Sequence, residues 1–200
     1  MRIDRLLVLA GTSLVAALLA WPLPAQFDPI FDFIPLGGRS HLAQVLESKP
    51  PAAEVQALLT AKRTREEWAE YLKGRAKTIS VLQKFDDREL STLADYLSFN
   101  MPLPAAKLPA DPAKADWKKL LPRDGRDLVL EYCQSCHIIT VTVTQERTKA
   151  HWLGTMNKPS HVEIKLTPQE REALASYLVL NAGIPIDLIP KELRAGGASY

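Results

Sequence analysis

Residues 133–137 read Cys133-Gln134-Ser135-Cys136-His137, and these five positions hold both cysteines of the 200-residue chain. Residues three apart on a helical turn lie on the same face, so a helix here would direct both thiols to one side. His137 follows the second cysteine directly, and imidazole is the commonest metal ligand among side chains. The segment is therefore a candidate attachment site for a metal-bearing group.

Cys-x-x-Cys-His is the spacing at which two thiols reach the two vinyl groups of one haem, with the histidine as the proximal iron ligand. Three other kinds of site fit less well. A zinc site needs more ligands, and the remaining histidines are scattered without metal-ligand spacing. A thioredoxin-like redox pair is expected within a βαβ unit, and a structural disulfide leaves His137 unexplained. The pattern predicts one covalent haem c, held by Cys133, Cys136 and His137.

The first 25 residues are typical of an export segment. Arg2 and Arg5 precede an apolar run from residue 6 to residue 20, and a Pro-Leu-Pro-Ala sequence follows at 22–25. The run is roughly 15 residues long, whereas about 20 are needed to cross a bilayer core. A cleaved signal peptide is the prediction, with an uncleaved N-terminal anchor as the alternative. Both place the remainder of the chain in the periplasm, the compartment in which haem c is attached.

Composition excludes several classes of protein. The chain is 46% hydrophobic, an ordinary value for a globular protein, so wholesale disorder is excluded. Its 25 basic and 23 acidic residues give a net charge of +2 without a concentrated basic run. A nucleic-acid partner is therefore not expected. No Ser/His/Asp group, phosphate-binding loop or paired-carboxylate motif is evident, so we predict neither an enzyme nor a small-molecule substrate.

Helical signals dominate and predict an all-α fold. Thr64 with Glu67 and Thr167 with Glu170 form capping boxes at helix starts. The β-branched run 138–144 is the exception, since it favours extended backbone. The predicted organisation has four parts: a leader at 1–25, a helical domain with an extended Phe- and Pro-rich arm at 26–101, a Pro-rich linker at 102–122, and a haem domain at 123–200.

An internal repeat relates the two halves of the chain. Residues 86–100 match 167–181 at a constant offset, and Trp68 and Trp152 lie upstream at nearly the same offset. The identical pairs are Glu89/Glu170, Leu93/Leu174, Ala94/Ala175, Tyr96/Tyr177, Leu97/Leu178 and Asn100/Asn181. These identities could arise because both segments are amphipathic helices. They could also reflect a duplication, which would change the domain organisation.

Residues 123–183 resemble a class I c-type cytochrome domain. A helix ends in Cys-x-x-Cys-His, an intermediate loop and helix follow, and a C-terminal helix carries Tyr177. The spacing with Arg147, Trp152 and Met156 is also similar to dihaem cytochrome domains of periplasmic dehydrogenases. Those families carry two haem motifs, whereas this chain has Lys-Pro-Pro-Ala-Ala at 49–53 where the first would fall. The resemblance implies a cytochrome c-like helical domain around one haem, preceded by a haemless cytochrome-like repeat.

The resemblance also implies a sixth iron ligand between the haem motif and the last helix. Met156 is the expected ligand, since a thioether raises the reduction potential and suits an electron carrier. His161, His151 or an open position are the alternatives, and Met156 could instead fill the core beside Trp152. Arg147 or Lys149 could pair with a haem propionate, or either could be a solvated surface charge. The predicted metal ligands are therefore His137 and Met156.

The function that follows is one-electron transfer between redox protein partners, a donor and an acceptor, in the periplasm or on its membrane face. Two alternatives stay open: a haem subunit fixed in a larger respiratory or photosynthetic complex, and a gas-binding or sensor protein with an open sixth site. His41, far from the haem motif in sequence, is expected to be a surface histidine.

Overall fold

A computed structural model describes residues 29–134, 138–161 and 164–194 of the chain. The predicted export segment lies outside these residues. So do Cys136 and His137 of the haem motif, whereas Cys133 and Met156 are within them.

The described residues are helical and contain no β-strand, which confirms the all-α prediction. Short 3-10 helices and turns connect the helices. The nine α-helices of this part of the chain are α1 (Gly38–Glu47), α2 (Ala52–Thr60), α3 (Arg65–Arg75), α4 (Asp87–Asn100), α5 (Trp117–Leu120), α6 (Gly125–Leu128), α7 (Thr140–Val143), α8 (Lys149–Met156) and α9 (Pro168–Asn181). A π-helical turn, Val129–Cys133, extends α6 into the haem motif.

The helices start where side chains satisfy their free backbone N–H groups. The capping boxes predicted at Thr64 and Thr167 are both present, and Asp86 and Asp124 form two more at the starts of α4 and α6. In each box the cap side chain and the third helical residue exchange hydrogen bonds with the backbone. These local signals explain why the helix starts at Thr64 and Thr167 are readable from the sequence.

The prediction of extended backbone at 138–144 is wrong, because α7 occupies most of that run. Ile139 and Val143 are buried on one face of the turn, four residues apart. The Thr144 hydroxyl donates a hydrogen bond to the Thr140 carbonyl at 2.8 Å. Burial of one helical face therefore outweighs the strand preference of β-branched residues.

Two hydrophobic cores form, one in each half of the chain. The first core gathers side chains from α1 to α5, including Trp68 and Leu72. The second core gathers side chains from α6 to α9, including Trp152 and Met156. Helices α4 and α9 pack against each other and join the two halves.

Segments outside the helices also belong to these cores. Phe31 and Ile34, from the predicted arm, are buried in the second core rather than the first. Leu103 and Trp117, from the segment predicted to be a linker, are buried in the first core. The stretch 102–122 is therefore anchored to the first half near both of its ends, while most residues between Leu103 and Trp117 are exposed.

The two halves make the same contacts at matching positions. A Cβ added to Gly38 would lie 2.1 Å from the Cβ of Tyr96, and one added to Gly125 would lie 2.1 Å from the Cβ of Tyr177. Helices α1 and α4, like α6 and α9, therefore cross in close contact at a glycine and a tyrosine. A backbone hydrogen bond made just after α4 also matches one made just after α9. The Leu103 N–H donates to the Leu59 carbonyl at 2.8 Å, and the Ile184 N–H donates to the Val143 carbonyl at 3.0 Å.

Each half also donates a hydrogen bond to the segment that leads into α6 or α1, the start of the other half. The Tyr96 hydroxyl donates to the Pro122 carbonyl at 2.8 Å, and the Tyr177 hydroxyl donates to the Pro35 carbonyl at 2.6 Å. The two acceptor prolines occupy equivalent positions before α6 and α1. The structure thus contains two similar helical units. In each, a tyrosine donates to the proline that precedes the first helix of the other unit.

Candidate functional site

Cys133 lies at the end of the π-helical turn, where the side chain is half-buried and packs against the second core. Burial raises the pKa of its thiol to about 11, while a hydrogen bond with Thr142 acts in the opposite direction. Apolar surroundings favour an uncharged sulfur, either a thiol or a thioether, over a thiolate. Of the three motif residues, this is the one whose surroundings the structure describes.

Met156 ends helix α8 and is 7% exposed, within the same core as Cys133. The other two predicted candidates for the sixth ligand lie elsewhere. His151 is exposed, and His161 is partly exposed with its Nδ1 3.1 Å from the Ser160 hydroxyl. Met156 is therefore the one candidate whose side chain is enclosed with the cysteine.

Trp152 precedes Met156 by one helical turn and is buried in the second core. Its indole Nε1–H is buried without a hydrogen-bond partner among the described residues. An unsatisfied buried donor costs stability, so this atom is a candidate to donate to a bound group. The equivalent Trp68 of the first half also has an unpartnered Nε1, so the feature belongs to both halves.

The two charged residues proposed to face a carboxylate are in different environments. The Arg147 guanidinium lies over the Trp152 ring, 5.1 Å from its centroid, and donates to the Thr155 hydroxyl at 3.0 Å. The Lys149 Nζ lies 2.9 Å from a Glu172 carboxylate oxygen, so that cation is already paired. Arg147 is consequently the cation next to the unpartnered indole.

Arg171, on α9, was not identified from the sequence. Its Nη1 donates to the Met156 carbonyl at 2.8 Å, and its Nη2 donates to the Ile164 carbonyl at 3.0 Å. These bonds connect the end of α8 to the backbone that leads into α9. No local pattern indicates them, because they depend on how α8 packs against α9.

The haem motif has a counterpart in the first half that lacks both sulfur atoms. Matching Gly38 with Gly125 places Leu46-Glu47-Ser48-Lys49-Pro50 opposite Cys133-Gln134-Ser135-Cys136-His137. Leu46, where Cys133 would be, is buried in the first core. This counterpart begins three residues earlier than the Lys-Pro-Pro-Ala-Ala stretch at 49–53. Likewise, Leu72 stands four residues after Trp68, where Met156 follows Trp152.

The prediction that His41 is a surface residue is wrong. Its side chain is 1% exposed and its ring packs edge-on against Phe85, with the centroids 4.9 Å apart. Burial lowers the pKa of this imidazole, opposed by the charges of Glu89 and Asp124. His41 is thus a neutral core histidine of the first half.

Among the described residues, no helix combines the length and the hydropathy that a membrane span requires. Within the same ranges, no group of three or more His, Cys, Asp or Glu side chains could hold a metal ion. Comparison with protein-family models, with curated proteins and with solved structures finds no match to this chain.

Proposed function

We propose that this protein transfers single electrons in the periplasm through one covalently attached haem c. Cys133 and Cys136 form the thioether bonds, His137 is the proximal ligand, and Met156 is the distal ligand. The observation that carries the proposal is the difference between two otherwise matching halves. The first half has Leu46 and Leu72 at the positions where the second half has Cys133 and Met156.

The residues of the second half suit such a group. Its core supplies an apolar enclosure around Cys133 and Met156. The Arg147 cation beside this core would pair with a propionate carboxylate, since Arg pairs well with carboxylates. Haem c, once bound, supplies a reversible Fe(III)/Fe(II) couple.

The chain itself contributes ligation and environment. His137 and Met156 would hold the iron, and a thioether ligand would favour the reduced iron and hence a high potential. The second core excludes water and lowers the local dielectric. The first half contributes no ligand and supports α6 and α9 through its contacts with them, which suits a rigid electron-transfer site that docks with a donor and an acceptor.

A haem count tests the attachment directly. The pyridine haemochrome of the exported full-length protein should report one haem c per chain, and its intact mass should include that haem. The same mass shows whether the first 25 residues are removed or retained as an anchor. Replacing both cysteines (C133A with C136A) should abolish covalent haem and unfold much of the second half, because cofactor binding stabilises the folded state. A colourless wild-type protein would refute the proposal.

The distal ligand is tested by Met156→Ala, with Leu72→Ala as the matched control in the first half. Both changes remove a buried side chain, so each should lower the free energy of unfolding by about 2–5 kcal/mol. Only the Met156 variant should lose the thioether-to-iron absorption band, show a lower potential and bind CO rapidly. Unchanged spectra in that variant would make Met156 a core residue and favour an open site or a histidine ligand.

A further inference from the structure

Arg171 connects the backbone at Met156 to the backbone at Ile164. Its Nη1 donates to the carbonyl of Met156, the last residue of α8, and its Nη2 donates to the carbonyl of Ile164. Between these carbonyls run residues 157–163, of which 162 and 163 lie outside the described residues. One planar guanidinium therefore fixes the spacing between these two carbonyls.

The bond to Met156 has a specific physical role. The last carbonyls of a helix have no partner within that helix, so they need an external donor. A cation at a helix C-terminus is also favoured by the helix dipole. Arg171 supplies the donor and the positive charge together, and it does so at the residue whose side chain is the proposed distal ligand.

In the first half, where no distal ligand is proposed, a leucine occupies the position equivalent to Arg171. The repeat aligns Arg171 with Leu90 of α4, in register with the pair Leu93 and Leu174. Leu90 packs against the first core, and the residue equivalent to Met156 there is Leu72. The arginine and the methionine thus occur together in one half, and two leucines replace them in the other.

We propose that Arg171 is a positioning residue that holds the Met156 thioether on the haem iron. The inference rests on the proposed function, since it requires a haem with Met156 as its distal ligand. Fixing the Met156 backbone from α9 limits how far its side chain can withdraw from the iron. Without these two bonds, the detached form of the ligand becomes more populated.

The test uses the full-length holoprotein with three substitutions. Arg171→Gln removes the positive charge and the pair of guanidinium donors. Arg171→Lys keeps the charge but has a single donor group. Glu172→Gln is the matched control, since Glu172 is the next residue of α9 and pairs with Lys149 at the opposite end of α8. The measurements are the thioether-to-iron band of the ferric protein, the rate of CO binding to the ferrous protein, the reduction potential and the far-UV circular dichroism.

We expect R171Q to weaken the thioether band, lower the potential and accelerate CO binding by about one to two powers of ten, the change expected when hydrogen bonds to a charged group are lost. R171K should lie between R171Q and the wild type, and E172Q should match the wild type. If R171Q does not fold, the comparison of R171K with the wild type tests the inference.

Three outcomes overturn the inference. In the first, R171Q and R171K keep the wild-type band, potential and CO rate. In the second, E172Q changes them equally, which indicates general loosening of α8 against α9. In the third, the wild type itself lacks covalent haem or the thioether band. Only this last result also refutes the proposed function, so the two failures are distinguishable.

Discussion

Asp95, on α4, shows how burial changes the chemistry of one residue. The residue is 8% exposed, and desolvation raises the pKa of its carboxyl to about 6. Three neighbours oppose this shift: the Arg65 guanidinium with its Nε 3.7 Å away, the Lys149 charge, and a hydrogen bond with Ser176. Burial dominates because these neighbours replace only part of the lost hydration.

The raised pKa predicts a pH-dependent stability that Asp95→Asn should remove. The unfolded chain releases the Asp95 proton near pH 4 and the folded chain near pH 6. The stabilisation is therefore complete below about pH 4 and is lost as the pH rises to about 6. Relative to D95N, the wild type should lose up to about 3 kcal/mol of unfolding free energy over this range. Urea titrations at several pH values measure it, and parallel curves for both proteins would contradict it.

At the scale of helices, each half depends on a glycine at one helix crossing, that of α1 with α4 or that of α6 with α9. Gly38 lies against Tyr96 of α4, and Gly125 lies against Tyr177 of α9. A Cβ at either glycine would also approach a backbone carbonyl, that of Thr92 at 2.9 Å or that of Ala173 at 3.2 Å. Since the backbone cannot yield as easily as a flexible side chain, a larger residue must separate the helices.

Gly38→Ala and Gly125→Ala should each lower the free energy of unfolding by roughly 1–3 kcal/mol or more, the cost of overpacking a tight contact. Gly154→Ala is the control, because an added Cβ there meets nothing within 4 Å. In the interior of α8 it should be neutral or stabilising by about 0.5–1 kcal/mol through helix propensity. Chemical denaturation measures all three, and equal effects at the three positions would contradict the close crossing.

At the scale of the molecule, the two halves stabilise each other through polar contacts that cross between them. The buried Arg126 of α6 donates to the Ile34 and Phe31 carbonyls, and Arg39 of α1 forms an ion pair with Asp127 at 2.6 Å. Desolvation, together with the nearby Asp124 charge, raises the pKa of the Asp127 carboxyl, while Arg39 opposes this shift. These contacts couple the stability of the second half to that of the first half.

Tyr96→Phe and Tyr177→Phe each remove one of the reciprocal hydroxyl bonds and leave a proline carbonyl without its donor. Each should cost about 1–2 kcal/mol, because a partly buried carbonyl loses its hydrogen-bond donor. Because the halves are coupled, the haem absorption and the far-UV dichroism should shift together in thermal melts. Tyr71→Phe is the control, because the Tyr71 hydroxyl donates to Glu54 within the first half. Melting of one signal alone in Y96F or Y177F would contradict the coupling.

Local patterns in the amino-acid sequence were sufficient for the all-α class and for the capping boxes at Thr64 and Thr167, because a cap depends on residues three apart. The haem motif and the choice of Met156 were also readable locally, and they remain predictions. The burial of His41, the helix at 138–144 and the packing of Leu103 and Trp117 were decided by tertiary structure. So were the bonds of Arg171 to the Met156 and Ile164 carbonyls. In each of these cases the contact joins residues that are brought together by packing. The local preference of the residues involved therefore does not decide the structure they adopt.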